Sequence, residues 1–144
     1  NVAAYTASVA LTVAQSGSVI TGNAAAGMTV TLPAAEAGLH FSIHVGTTIT
    51  SNNFIITGAT SADVFQGQLI ANDFTDLGSI TVLNENVVTV GFDQPAAADY
   101  RITMNGTTKG GKLGSIVHCT AISAVIWNID GFLSSDGTLA TTFS

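Results

Sequence analysis

The side chains best suited to chemistry are one cysteine and three histidines. Cys119 follows His118 directly, and a cysteine becomes a catalytic nucleophile when a neighbouring base contacts its thiol. Residues 115–122 alternate like a β-strand, however, and successive strand residues point to opposite faces. The pair cannot form a catalytic dyad by adjacency, so we expect Cys119 to be a buried structural thiol.

The histidines could also suggest zinc. His40 and His44 lie four positions apart in the strand-like segment 39–45, on one face but about 13 Å from each other, which is too far to share one ion. A zinc site would need copies of the chain around a symmetry axis. We expect His40, His44 and His118 to be half-exposed strand residues, and the sequence predicts no metal and no other cofactor.

The acidic residues give no catalytic pattern. A glycosidase needs two carboxyl groups roughly 5–10 Å apart, but Glu36 and Glu85 both lie in turn-like segments, and the seven aspartates are predicted to lie in or beside loops. The sequence has neither the Asp-x-Asp-x-Asp spacing of a calcium loop nor a Gly-x-Ser-x-Gly nucleophile elbow. We therefore predict that the chain is not an enzyme.

Net charge and the length of the apolar segments argue against two classes of partner. The 144 residues include three basic and nine acidic ones, a net charge of −6, so few groups could neutralise phosphates and nucleic-acid binding is not expected. A membrane-spanning helix needs about 20 consecutive apolar residues, and the most apolar segment, 121–129, is too short. The sequence predicts no nucleic-acid and no membrane partner.

Low charge also indicates assembly. Charged residues make up 8% of the chain, against about 25% in ordinary soluble domains. Their places are taken by 20 threonines, 12 serines and 20 alanines, which pack flat and lose little entropy on ordering. A single cysteine cannot form an internal disulfide. We infer that much of the surface is buried against other chains.

These residues must be positioned by strands, because period-two alternation recurs and no long helical spacing occurs. The pattern predicts one all-β domain over residues 1–144, an antiparallel β-sandwich, jelly-roll-like fold or barrel of about ten short strands. Residues 1–4 are a possible N-terminal arm and 134–144 a C-terminal extension. The predicted strands are 5–13, 28–32, 39–45, 53–57, 64–70, 79–83, 87–92, 100–104, 115–122 and 124–129.

Turn-forming residues separate these strands. Residues 33–38 could close into one helical turn, and Asn105 and Gly106 predict a tight hairpin turn.

Four residues are candidates for partner contacts. Arg101, Lys109 and Lys112 are all the basic residues and fall within twelve positions, so they could dock an acidic partner or simply solubilise one exposed hairpin. Phe143, an isolated aromatic on a polar tail, could anchor in another subunit, or the tail could fold back on its own sandwich. The sequence leaves both pairs of alternatives open.

Three stretches resemble small structural proteins of tailed phages, many of them marine. Residues 31–45 (TLPAAEAGLHFSIHV) are similar to their TLPAAxAGLxFxxxV pattern. Residues 58–67 resemble the intervening ITGxxxDxxxG segment, and residues 114–116 with 127–140 (GSI and WNIDGFLSSDGTLA) resemble the closing GSxI…WxVxGxLxxxGTxA pattern. The resemblance covers most of residues 28–140.

The resemblance implies a capsid decoration protein, also called a cement or head auxiliary protein. Such a protein is a β-rich, non-enzymatic subunit, usually trimeric, that binds the major capsid protein on the outer surface of the phage head. Expected properties are therefore a homotrimer, virion localisation and stabilisation of the assembled shell.

Two other functions remain open. A receptor- or carbohydrate-binding module of a tail fibre would need exposed aromatic side chains, and Trp127 is the obvious candidate, although its position after Val125 and Ile126 favours the core. A surface or fimbrial subunit would polymerise through a terminal strand.

Overall fold

The computed structural model describes residues 1–73 and 90–144, which form two β-sheets around one apolar core. No residue in these ranges is α-helical, and one short 3-10 turn covers Val13–Gln15. No described helix has the length and hydropathy to span a membrane. Eleven strands occur in this part of the chain: β1 (Val2–Tyr5), β2 (Val9–Ala10), β3 (Val19–Gly22), β4 (Met28–Thr31), β5 (His40–Val45), β6 (Phe54–Thr57), β7 (Val64–Asp73), β8 (Val90–Asp93), β9 (Arg101–Met104), β10 (Ile116–Ala121) and β11 (Ile126–Ser135).

The first six strands alternate between the sheets. Strands β1, β3 and β5 lie side by side in one sheet, and β2, β4 and β6 in the other. The chain crosses to the opposite sheet after each strand. When it comes back to the first sheet, the new strand runs in the same direction as the previous strand there. Neighbouring strands among β1, β3 and β5, and among β2, β4 and β6, are therefore parallel. The amino-terminal part of the domain therefore winds between the two sheets as the chain of a β-solenoid does.

The later strands complete both sheets. The larger sheet has the order β1-β3-β5-β10-β11-β7-β8, and the smaller one the order β2-β4-β6-β9. Strand β10 is antiparallel to both β5 and β11, whereas the ten-residue strands β11 and β7 are parallel along their whole length. Strands β8 and β9 pair antiparallel with β7 and β6.

Alternating residues of both sheets fill the core. Phe41, Ile43 and Val45 point inward from β5, while Ser42 and His44 between them point outward. Trp127 is fully buried with its ring centroid 6.1 Å from that of Phe41. Because Cys119 is a free thiol, packing rather than a disulfide stabilises the described fold.

The all-β sandwich expected from alternation is confirmed, with eleven strands and no closed barrel. The antiparallel pairing was wrong in part, because the sheets are mixed, with five parallel and four antiparallel pairs. Alternation records which side chains face the core but not the direction of the neighbouring strand. The predicted strand 79–83 and the first half of the predicted strand 87–92 lie outside the described residues, and its second half lies in β8.

Three local predictions were wrong. The predicted strand 5–13 is divided between β1 and β2, because the chain crosses between the sheets there. Residues 33–38 form bends and a turn rather than a helical turn. Asn105 and Gly106 do not close a hairpin, because β9 and the following strand β10 belong to different sheets.

Gly131 lies where two strands approach closely, and it gives the first prediction. A Cβ there would overlap the Ile116 carbonyl oxygen and the Val117 backbone, neither of which can move without disturbing β10. We expect Gly131→Ala to lower the free energy of unfolding by about 1–3 kcal/mol, measured by urea denaturation. The matched control is Gly91→Ala in β8, whose Cβ would meet only the movable end of Leu139. An equal loss in both variants would contradict this explanation.

Candidate interaction surfaces

The outer face of the seven-stranded sheet carries a continuous row of exposed or half-buried apolar side chains. Cross-strand register places Ile116 beside Phe132, Phe132 beside Ile70, and Ile70 beside Phe92. We call these four residues the apolar row. Because adjacent strands lie about 4.8 Å apart, the row extends for about 14 Å across β10, β11, β7 and β8. Phe92 is 65% exposed and Phe132 43% exposed.

Polar side chains lie directly beside the apolar row. His118 is the cross-strand partner of Asp130, which is the partner of Gln68. Together with Gln94 and Asn128 they line a shallow groove of about 690 Å³ that also includes three members of the row, Ile70, Ile116 and Phe132. The surface thus combines an apolar strip with a polar border.

All three histidines lie on this outer face but form no metal site. His40 and His118 are exposed and His44 is half-buried, and no cluster of three metal-ligating side chains occurs in residues 1–73 and 90–144. The Ser42 hydroxyl lies 2.9 Å from His44 Nε2, within hydrogen-bonding distance. Burial, and secondarily the charge of His118, lower the pKa of His44.

Cys119 and Trp127 lie on the opposite, inner side of the sheet. Both side chains are fully buried, as the sequence predicted. Burial raises the pKa of the Cys119 thiol, with a smaller contribution from Asp130, so the reactive thiolate is disfavoured. Since His118 faces outward, it does not share a face with Cys119, and Trp127 is not available as an exposed aromatic platform.

Four loops meet at one end of the sandwich, and we call them the alanine-rich end: residues 33–38, 58–63, 94–99 and 122–125. Hydrogen bonds connect them. The Ala35 amide donates to Asp63 and the Gly58 amide to the Tyr100 carbonyl, while the Gly38 amide donates to the Ala121 carbonyl, next to loop 122–125. These bonds hold the end as one surface.

The alanine-rich end consists mainly of small side chains, and its charged residues are the acids Glu36, Asp63 and Asp99. Nine of its 22 residues are alanine, and it contains both prolines of the chain but no lysine or arginine. Ile122 and Val125 are each about half exposed, whereas the Asp63 carboxylate is buried. Ile122, Val125 and the alanines can be buried against another apolar surface at little cost, whereas the exposed Glu36 and half-buried Asp99 would have to stay solvated or meet a positive partner group.

The three predicted basic residues lie at and beyond the two ends of strand β9. Arg101 begins β9 and lies over the Tyr100 ring at 5.4 Å, whereas Lys109 and Lys112 follow the other end of that strand. Lys112 forms an ion pair with Asp136. A strand of four residues, about 10 Å long, therefore separates Arg101 from the two lysines.

The carboxyl-terminal tail folds back on its own sandwich, one of the two alternatives that the sequence left open. Phe143 pairs with Ile102 of β9 and is buried, with 6% of its surface exposed. The Arg101 and Ser144 backbones exchange hydrogen bonds, and the Thr103 amide donates to the Thr142 carbonyl. Phe143 is therefore a core residue in this structure rather than an exposed anchor.

Comparisons of the chain with protein-family models, curated proteins and solved structures gave no significant match. The two interaction surfaces are therefore assigned from the geometry of the fold alone. Sequence reasoning missed the apolar row because its members are far apart along the chain and only strand pairing joins them. It also missed the alanine-rich end, although the alanines within 33–38 and 94–99 were a signal of a loop surface made of small side chains.

Asp63 fixes the alanine-rich end and gives a second prediction. Its carboxylate accepts hydrogen bonds from the Ala35 amide and from the Thr60 amide and hydroxyl. We expect Asp63→Ala to cost about 2–4 kcal/mol of unfolding free energy, because buried donors lose their partner. In Asp99→Ala only the exposed bond from the Ala96 amide is lost, and about 1 kcal/mol or less is expected. Chemical denaturation of both variants tests the difference.

The lowered pKa of His44 predicts a pH dependence. The unfolded chain protonates this histidine more readily than the folded chain does, so stability is fully present above the unfolded pKa of about 6.5 and falls as the pH drops below it. We expect urea unfolding midpoints to fall between pH 7 and pH 5.5, and to fall less in His44→Gln. The control His40→Gln should behave like the wild type. Identical slopes in all three proteins would contradict the assignment to His44.

Proposed function

We propose that this chain is a structural virion protein, a capsid decoration protein that forms a homotrimer and binds the major capsid protein on the outer surface of a tailed-phage head. The observation that carries the proposal is the presence, on one small domain, of two separate surfaces with exposed apolar side chains. The apolar row lies on a sheet face, and the alanine-rich end is formed by loops. The resemblance of residues 31–45, 58–67 and 114–140 to phage structural proteins supports it.

Two contact surfaces suit a subunit that connects other subunits. One surface can hold the copies together while the other contacts the shell, and three linked shell contacts bind far more tightly than one. Binding that occurs only on the assembled shell stabilises the shell by mass action. Such a protein needs area rather than a reactive pocket, and the most reactive side chain described here, Cys119, is buried with its pKa raised.

We assign the shell contact to the alanine-rich end. Its loops are linked by backbone hydrogen bonds, so little conformational entropy is lost when they dock. Ile122 and Val125 supply apolar contacts at the hairpin between β10 and β11, and small side chains around them allow close approach.

A second candidate function is a receptor- or carbohydrate-binding module of a tail fibre, and the groove on the large sheet favours it. Gln68, Gln94, Asn128 and Asp130 offer planar hydrogen-bonding groups beside the exposed ring of Phe132. Sugars are bound by such combinations of polar side chains and aromatic faces. A glycan screen with an Asp130→Ala control tests this candidate.

The decoration function predicts selective binding to assembled heads. The genome that encodes the chain should also encode a tailed-phage shell protein, and the purified chain should co-sediment with expanded heads of that protein but not with unassembled shell subunits. Val125→Asp should weaken head binding by about tenfold or more, because a carboxylate would be desolvated at the contact.

The matched control is Leu113→Asp, at a residue that is 64% exposed but lies outside both proposed surfaces. It should bind heads like the wild type. A genome without a shell protein, or equal binding of all three proteins, would contradict the proposal.

A further inference from the structure

The outer face of the seven-stranded sheet is unusual in its charge as well as in its apolar row. Among the outward-pointing strand residues described, Asp130 is the only one that carries a charge at neutral pH when the histidines are neutral. The chain as a whole carries a net charge of −6, so two copies repel each other wherever their acidic residues meet. With one acidic residue on this face, little charge repulsion opposes the approach of a second copy to it.

The size of the face fits contact between proteins. Seven strands spaced at about 4.8 Å, with about six residues each rising about 3.3 Å, outline roughly 600 Å² before side-chain relief is added. A standard interface buries about 800 Å² on each partner. A fully exposed aromatic side chain offers about 200 Å², so the fractions exposed in the row amount to roughly 300 Å² of apolar surface.

The layout of the face matches the anatomy of an interface. An apolar centre surrounded by polar groups is typical of protein contacts. Here the centre is the apolar row, and the border consists of Gln68, His118 and Asp130 on one side. On β5 the same row continues with His44, which is opposite Ile116.

We propose that this sheet face binds further copies of the same chain, with the apolar rows of three subunits facing a common threefold axis. The inference rests on the proposed function for the number three, and it identifies the surface that joins the subunits. Phe132 and Ile70, the two middle members of the apolar row, lie nearest the axis, and Phe92 on β8 contacts the neighbouring subunit. In such an arrangement all three faces are covered and the association closes.

Sedimentation velocity and light scattering over a wide dilution range test the proposal on the full chain. The wild type should be a trimer, and Phe132→Asp should raise the concentration at which it dissociates by about a hundredfold or more, since each trimer would bury three carboxylates. Phe92→Asp is a second variant, at a side chain already 65% exposed, so its folding should be undisturbed. Leu113→Asp is the matched control and should remain trimeric.

Each outcome has a defined meaning. A monomeric wild type, or a trimer that persists in both Phe132→Asp and Phe92→Asp, overturns the inference. If the wild-type protein nevertheless binds heads, binding to the capsid as the proposed function is retained. A face-dependent trimer that does not bind heads supports the inference and contradicts the decoration function. A face-dependent dimer supports the surface but contradicts the threefold axis. A monomer that binds a glycan through Asp130 overturns the inference and favours the second candidate function.

Discussion

The whole structure depends on burying one apolar layer between two sheets. The layer needs an inward side chain at every second position of nearly all strands, and β5 meets this need with Phe41, Ile43 and Val45. Because the single cysteine is free and few charges are present, neither a disulfide nor a network of ion pairs can replace this packing. The side chains at the alternate positions point outward, take no part in the core, and can contact other molecules.

Sequence could predict this layer but not the path of the chain through it. Alternation in residues 39–45 identified a strand and its inner face correctly, and the burial of Trp127 followed from its apolar neighbours. The parallel pairs of β1, β3 and β5 result from crossings between the sheets, which leave no trace in a period of two. Strand β11 was predicted to end at residue 129 but continues to Ser135, because its buried serines find partners: the Ser135 hydroxyl accepts a hydrogen bond from the Gly110 amide.

The interaction surfaces show the same division. The low charge predicted that much of the surface is covered by other chains. Which part of the surface is covered could not be predicted from residues that are neighbours in sequence. Ile70 and Phe132 are 62 positions apart, and only the parallel register of β7 with β11 makes them adjacent. The basic residues show the reverse case: Arg101 and Lys109 are close in sequence, yet strand β9 runs between them. Sequence proximity indicates spatial proximity only within one turn or hairpin.

The folded-back tail decides between two ways in which such a chain could associate. If the terminal strand were donated to a neighbour, as in strand-addition polymers, Phe143 would have to leave the core. Asp93 would also lose the hydrogen bonds that Thr141 and Thr142 donate to it. Residues 142–144 already cover the outer edge of β9, so that edge offers no open template. The apolar row is exposed without any rearrangement, and a preformed face binds with less loss of entropy than a segment that must first be released. Association through the sheet face is therefore the route that keeps the core of each subunit intact.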